Sequence, residues 1–93
     1  MIQITVQYEA QAGRAAGTST ETVEVSDTCC VADCIRQVAD AHGEQLRTVL
    51  LTAAGEVQPS LLVFLNDVQI IRHADSLLNQ SDILTLMTPI SGG

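Results

Sequence analysis

The chain has no lysine and no tryptophan, and its aromatic side chains are limited to Tyr8 and Phe64. Without lysine it cannot accept an isopeptide bond on its own side chains. With so few aromatics the core must be aliphatic, built from Val, Leu and Ile, and stacking platforms for single-stranded nucleic acid are missing. Basic residues are equally scarce. Arg14, Arg36, Arg47 and Arg72 stand against eleven Asp and Glu, a formal net charge of −7. Phosphate neutralisation requires clustered Lys and Arg, so nucleic acid is disfavoured as a partner. An acidic surface suits a basic protein partner through electrostatic steering, and equally serves simply to keep a domain soluble.

No apolar run approaches the roughly 18 residues of a membrane-spanning helix. The first residues lack the basic start and apolar stretch of a signal peptide, so no membrane association and a cytoplasmic location are expected. There is no phosphate-binding loop, dinucleotide fingerprint or nucleophile elbow. Cysteine is confined to Cys29, Cys30 and Cys34. An odd number packed into six positions is no secreted disulfide framework. Cys30 and Cys34 could share a helix face, but a zinc site needs a second pair of ligands, and neither His42 nor His73 supplies it, so no metal is expected. Cys34 reads as core. Cys29 or Cys30 near a helix start could carry a lowered pKa, which leaves a redox or persulfide role as an alternative.

With 93 residues the chain is long enough for one small domain. Ile2, Ile4, Val6 and Tyr8 alternate with Gln3, Thr5 and Gln7, the period of a half-buried strand. Residues 9–20 are small and polar and read as a mobile loop, and residues 21–25 as a second strand, giving a hairpin with a long connection. Ser26, Asp27 and Thr28 are helix-start residues. Val31, Cys34, Ile35, Val38 and Ala41 then recur at helical spacing, predicting a helix over 30–42 that stops at Gly43. Arg36 on its outer face is within reach of Asp33 and Asp40. Over 44–59, Leu46, Val49, Leu50 and Leu51 require partial burial in a short helical turn or strand. Leu61-Leu62-Val63-Phe64-Leu65 is apolar on both parities, which predicts a central strand covered on both sides, or one partly covered by a partner. Asn66-Asp67 is a turn pair leading into a short strand over 68–71. Asp75-Ser76 suggests a single 3₁₀ turn, Gln80-Ser81-Asp82 a further turn, and residues 83–87 the last strand. One main helix against a mixed sheet of about four to five strands is an α+β two-layer domain.

After that last strand the sequence closes with Thr88-Pro89-Ile90-Ser91-Gly92-Gly93. Glycine has no side chain to bury, but it lets a backbone pass where a Cβ would not fit. Pro89 fixes φ at the root of the segment. The pair reads either as a frayed end or as a segment threaded into a partner's active site.

The order of elements resembles a β-grasp, the ubiquitin-like fold, and the details resemble the bacterial sulfur carriers, among them the small subunit of molybdopterin synthase, the thiamine sulfur carrier and a relative serving cysteine biosynthesis. Val31-Ala32-Asp33 is similar to that family's helix start. Gly55-Glu56-Val57-Gln58-Pro59 before Leu62-Val63-Phe64-Leu65-Asn66 resembles its approach to the central strand, and residues 78–83 its last turn. Pro89-Ile90-Ser91-Gly92-Gly93 is similar to its Pro-Val-Ala-Gly-Gly ending. The chain departs from the pattern at Ser81 and Asp67, where glycine is usual, at Thr88, which replaces the first of two prolines, and in the length of the 9–20 loop.

The resemblance implies a single domain over 1–93 with a flexible tail over 88–93. It also implies a protein that is not itself an enzyme but a co-substrate, or the small subunit of a synthase if it pairs with a large catalytic one. An E1-like adenylating and sulfurtransferase enzyme would activate the Gly93 carboxylate with ATP, and sulfur would then replace an oxygen to give a thiocarboxylate. Gly92, Ser91, Ile90 and Pro89 would thread the tail into that enzyme. The carrier itself would bind no cofactor. Apolar residues near the same end, Leu62, Phe64 and Leu86, would dock on the partner. The acceptor would be an enzyme such as the large subunit of molybdopterin synthase, with cysteine or thiamine synthesis as alternatives. A ubiquitin-like module for binding or conjugation is the competing function. The absence of lysine fits a carrier better than a modifier that builds chains on itself.

Overall fold

A computed structural model describes residues 1–89, so the tail residues Ile90, Ser91, Gly92 and Gly93 lie outside the described part. Five strands form one mixed sheet: β1 (Ile2–Glu9), β2 (Thr20–Val25), β3 (Leu62–Leu65), β4 (Val68–Gln69) and β5 (Ile83–Met87). Three helices accompany them, α1 (Gln11–Ala16), α2 (Val31–His42) and α3 (Glu44–Leu50), with a 3₁₀ turn at His73–Asp75. The strand order is β2-β1-β5-β3-β4. β1 and β5 run parallel, and every other neighbouring pair is antiparallel. This is the β-grasp, ubiquitin-like arrangement, an α+β fold.

The alternation in β1 works as expected. Ile4, Val6 and Tyr8 are buried on the helix side. Leu84 and Leu86 of β5 are opposite Val6 and Tyr8, and Val63 of β3 is opposite Leu86, so one aliphatic sheet face meets the helices. α2 closes that face with Val31, Ala32, Cys34, Ile35, Val38 and Ala39. Ala41, expected in this stripe, is exposed near the end of the helix.

Several expectations need correction. The 9–20 connection contains α1, whose Ala12 is buried and anchors a turn of otherwise small residues. α3 replaces the undecided turn or strand, with Leu46 and Leu50 in the core. Among the described residues the short helices α1 and α3 therefore accompany the one main helix expected, α2. Ser26, Asp27 and Thr28 precede α2 without capping it. They form a turn closed by the Cys29 amide donating to the Ser26 carbonyl, and α2 begins at Val31. Arg36 pairs with Asp33 at 2.9 Å and donates to the Gly55 carbonyl, while Asp40 pairs with Arg47 of α3. The central strand is β5, not β3. The 61–65 run is apolar on both parities because Leu61 and Val63 enter the core while Leu62 and Phe64 lie half-buried on the opposite, helix-free face.

The turns tolerate their non-glycine residues. Asn66 and Asp67 have φ of 51° and 69°, the mirror-image turn that suits a two-residue hairpin. Ser81 accepts the left-handed region with φ of 72°, held by its amide donating to the Gln3 carbonyl at 2.8 Å.

Candidate functional site

β5 is paired on both edges, with β1 on one side and β3 on the other, and it delivers the chain directly to Thr88 and Pro89. The tail was expected to start being flexible at 88, but Thr88 is buried, 7% exposed. Its Oγ1 accepts the backbone N–H of Gln11 at 2.9 Å. Gln11 opens α1, whose preceding residue Ala10 has φ 58° and ψ −132° and offers no side-chain cap. The first amides of a helix lack intrahelical acceptors. Here the acceptor comes from a residue 77 positions away in sequence. Pro89 is exposed beyond this anchor.

Beside the root lies an open concavity of about 350 Å³ lined by Gln11, Thr48, Val49, Gln58, Thr88 and Pro89 among others. Among the described residues the lining contains no carboxylate, in a chain of net charge −7.

The helix-free face of the sheet carries an apolar cluster next to the root. Leu62 is opposite Met87, and Phe64 is opposite Thr85. Directly opposed residues share a sheet face. Leu62, Phe64 and Met87 are half-buried, Ile83 on the same face is 41% exposed, and Thr85 is sunk between them with its Oγ1 donating to Gln7 at 3.2 Å. Of the three expected docking residues, Leu62 and Phe64 are on this accessible face. Leu86 is not: it points the other way and is fully buried in the core. Met87 takes its place. Strand alternation after Leu86 would have pointed to it, since only odd positions of β5 share a face with Leu62.

The cysteines occupy quiet surroundings. Cys34 is fully buried, and burial, together with the neighbouring Cys29 and Cys30, pushes its thiol up to about 12. Burial, Asp33 and Cys30 likewise raise Cys29. Both are therefore held as thiols near neutral pH, the opposite of an activated nucleophile. Among the described residues no three His, Cys, Asp or Glu side chains are grouped to hold a metal ion, and no helix is long and apolar enough to cross a membrane.

A polar cluster ties the two layers together. Tyr8 of β1 donates its hydroxyl hydrogen to Glu21 of β2, and His42 at the end of α2 meets the same carboxylate oxygen at 2.5 Å. The Tyr8 and His42 rings meet edge to face with centroids 5.7 Å apart. Burial, with Glu21 adding to it, raises the Tyr8 hydroxyl. Burial alone would also raise Glu21, but the hydrogen bonds from Tyr8 and His42 and the charge of His42 hold it below the usual carboxylate value.

No family model and no curated protein matches the sequence. Solved structures do match. SAMP1, the small archaeal modifier protein 1 of Haloferax volcanii, is 24% identical with a TM-score of 0.87, covering 98% of this chain and 99% of that one. Urm1 of Trypanosoma brucei is 20% identical with a TM-score of 0.79, covering 98% and 95%. A chain in the complex of subunits 1 and 2 of the molybdopterin-converting factor of Helicobacter pylori is 16% identical with a TM-score of 0.63, covering 99% and 100%. At these identities the likeness establishes the shared ubiquitin-like fold over essentially the whole length.

Proposed function

We propose that this chain is a sulfur carrier that acts through the carboxyl group of Gly93, with molybdopterin synthesis as the leading destination of its sulfur. The reading rests on one observation. The central strand β5, locked between two neighbours, ends at a fixed root from which the sequence runs on as Ile90-Ser91-Gly92-Gly93. A body that holds its root still and follows it with two side-chain-free residues suits delivery of a carboxyl group into a narrow site.

A carboxylate is a poor electrophile. Adenylation on an E1-like enzyme would join it to the α-phosphorus of ATP and release pyrophosphate. The terminal sulfur of an enzyme persulfide would then attack the carbonyl and expel AMP. A second enzyme thiol would cleave the resulting acyl disulfide, leaving the thiocarboxylate on Gly93 and a disulfide on the enzyme. None of these steps calls for a base, metal or cofactor on the carrier. Its own contributions are the tail and a docking face, for which Leu62, Phe64 and Met87 are the candidates beside the root. The acidic surface favours a partner with basic residues around an apolar centre. The solved complex of the two molybdopterin-converting factor subunits supports a large catalytic subunit as acceptor.

A second reading, protein modification through the same carboxyl group, is favoured by the likeness to SAMP1, described as a small archaeal modifier. One experiment separates the two. The native chain is first weighed intact to establish that it ends at Gly93, then incubated with ATP, its activating enzyme and a persulfide donor. Exchange of one oxygen for one sulfur at Gly93 supports the carrier. Isopeptide linkage of Gly93 to lysines of other proteins, read as a tryptic branch beginning at His73, supports the modifier, and an unchanged mass with no conjugates refutes both.

A further inference from the structure

Resting on that reading, we infer that Thr88 is a positioning residue: by capping α1 it fixes the direction in which the tail leaves the sheet. Three observations converge on it. Thr88 is a buried polar residue in a segment that otherwise turns outward, with Pro89 exposed next to it. Its Oγ1 is the acceptor for the first amide of α1, which no side chain of the preceding turn supplies. And α1 is itself held tightly to the sheet. Ala10 is in a left-handed conformation rare for a residue with a Cβ, its carbonyl accepts the amide of Gly13 at 3.1 Å, and Gly13 packs against the Tyr8 carbonyl so closely that a Cβ there would lie 3.0 Å from it.

The consequence is a brace. β1 fixes Gly13 and Ala10, these fix the Gln11 amide, and the amide fixes Thr88, one residue past the last paired position of β5. Proline at 88 could stiffen the root by restricting φ, but it would offer no side-chain oxygen to α1. Threonine instead ties the root to a second element through its hydroxyl. Without the tie the body would still dock, since Leu62, Phe64 and Met87 are held by the β3–β5 pairing and take no part in the Thr88–Gln11 bond, but the Gly93 carboxyl group would less often be in line for attack.

The test compares the full chain with Thr88→Val, which keeps the shape but loses the acceptor, and Thr88→Ser, which keeps the acceptor. Initial rates of adenylation by the activating enzyme are measured against carrier concentration, with amide exchange at Gln11 followed in the same samples. Thr88→Val should lose protection at Gln11 and lower kcat about fivefold, equivalent to about 1 kcal/mol, with KM little changed. Thr88→Ser should restore both. Wild-type kcat in Thr88→Val despite an unprotected Gln11 amide, or a Thr88→Ser chain as slow as Thr88→Val, would overturn the brace while leaving the carrier reading intact. A wild-type chain that is not adenylated at all would instead overturn the carrier reading and the positioning role with it.

Discussion

A Cβ added to Gly13 would stand 3.0 Å from the carbonyl oxygen of Tyr8. α1 is thus pressed against the end of β1, and a side chain there would force α1 or the Tyr8 carbonyl to give by a few tenths of an ångström. Helix propensity by itself favours alanine over glycine by about 1 kcal/mol. The clash is with the backbone of a paired strand, which cannot move aside cheaply. Gly13→Ala should therefore destabilise the domain by about 1 kcal/mol in urea denaturation, the overpacking cost exceeding the gain in propensity. A stabilised Gly13→Ala would show that α1 can shift away from the sheet.

Glu21 gives the fold an acid limit. Its carboxyl is held below the usual value by Tyr8 and His42, against the opposing effect of burial. A carboxyl depressed on folding contributes stability above its unfolded pKa of about 4.3, and that contribution is lost as pH falls through the lower folded value. Melting temperature should fall below about pH 4.3, and Glu21→Gln should flatten that acid slope. Tyr8 sets the opposite limit. Its hydroxyl is raised by burial, so the stability it confers is fully present below the unfolded value of about 10 and is lost at higher pH as the unfolded chain ionises first.

The two faces of the sheet should answer differently to substitution. Leu86 is fully buried, so Leu86→Ala should cost about 2–5 kcal/mol of stability. Phe64 is half-buried on the helix-free face. Phe64→Asp should change stability far less but weaken binding to the activating enzyme by about tenfold or more, as expected for an aromatic at the centre of an interface. Calorimetric melting and titration of the two proteins measure both effects. Equal affinity for Phe64→Asp would move the docking surface elsewhere.

Removing Gly92 and Gly93 should leave the melting temperature unchanged, because neither residue has a side chain to bury. The same deletion should abolish formation of the thiocarboxylate. Intact mass and calorimetry on one preparation check both halves.

Burial should protect the cysteines. Cys34 is fully buried with its thiol raised to about 12, so a thiol reagent at neutral pH should label it only as fast as the domain unfolds. Cys30, half-buried, should label first. Rapid labelling of Cys34 in the folded protein would reopen a redox role for the cluster.

Local pattern alone made much of this legible. The alternation of Ile2 to Tyr8, the helical stripe from Val31 to Val38, the Gly43 stop and the Asn66-Asp67 turn are each set by the period or the dihedral preference of a few neighbouring residues, and each stands where the sequence placed it. The two terminal glycines are likewise a property of sequence. Other features had no local signal. α1 is made of Gln, Ala, Gly and Arg with one buried alanine, too little apolar surface to announce a helix, and its first amide is held by Thr88 from a distant part of the chain. The apolar run at 61–65 left open which strand was central, because strand order depends on pairings between distant segments, and those placed β5 in the middle. Leu86 and Met87 are adjacent in sequence and equally apolar. Only the direction of the sheet's two faces made one a core residue and the other a neighbour of Leu62. The sequence by itself therefore determined that a short apolar strand runs on into Gly92-Gly93. Tertiary structure decided where the segment after that strand is anchored, at Thr88, because a buried hydroxyl finds its amide partner only when residues 77 positions apart are folded together.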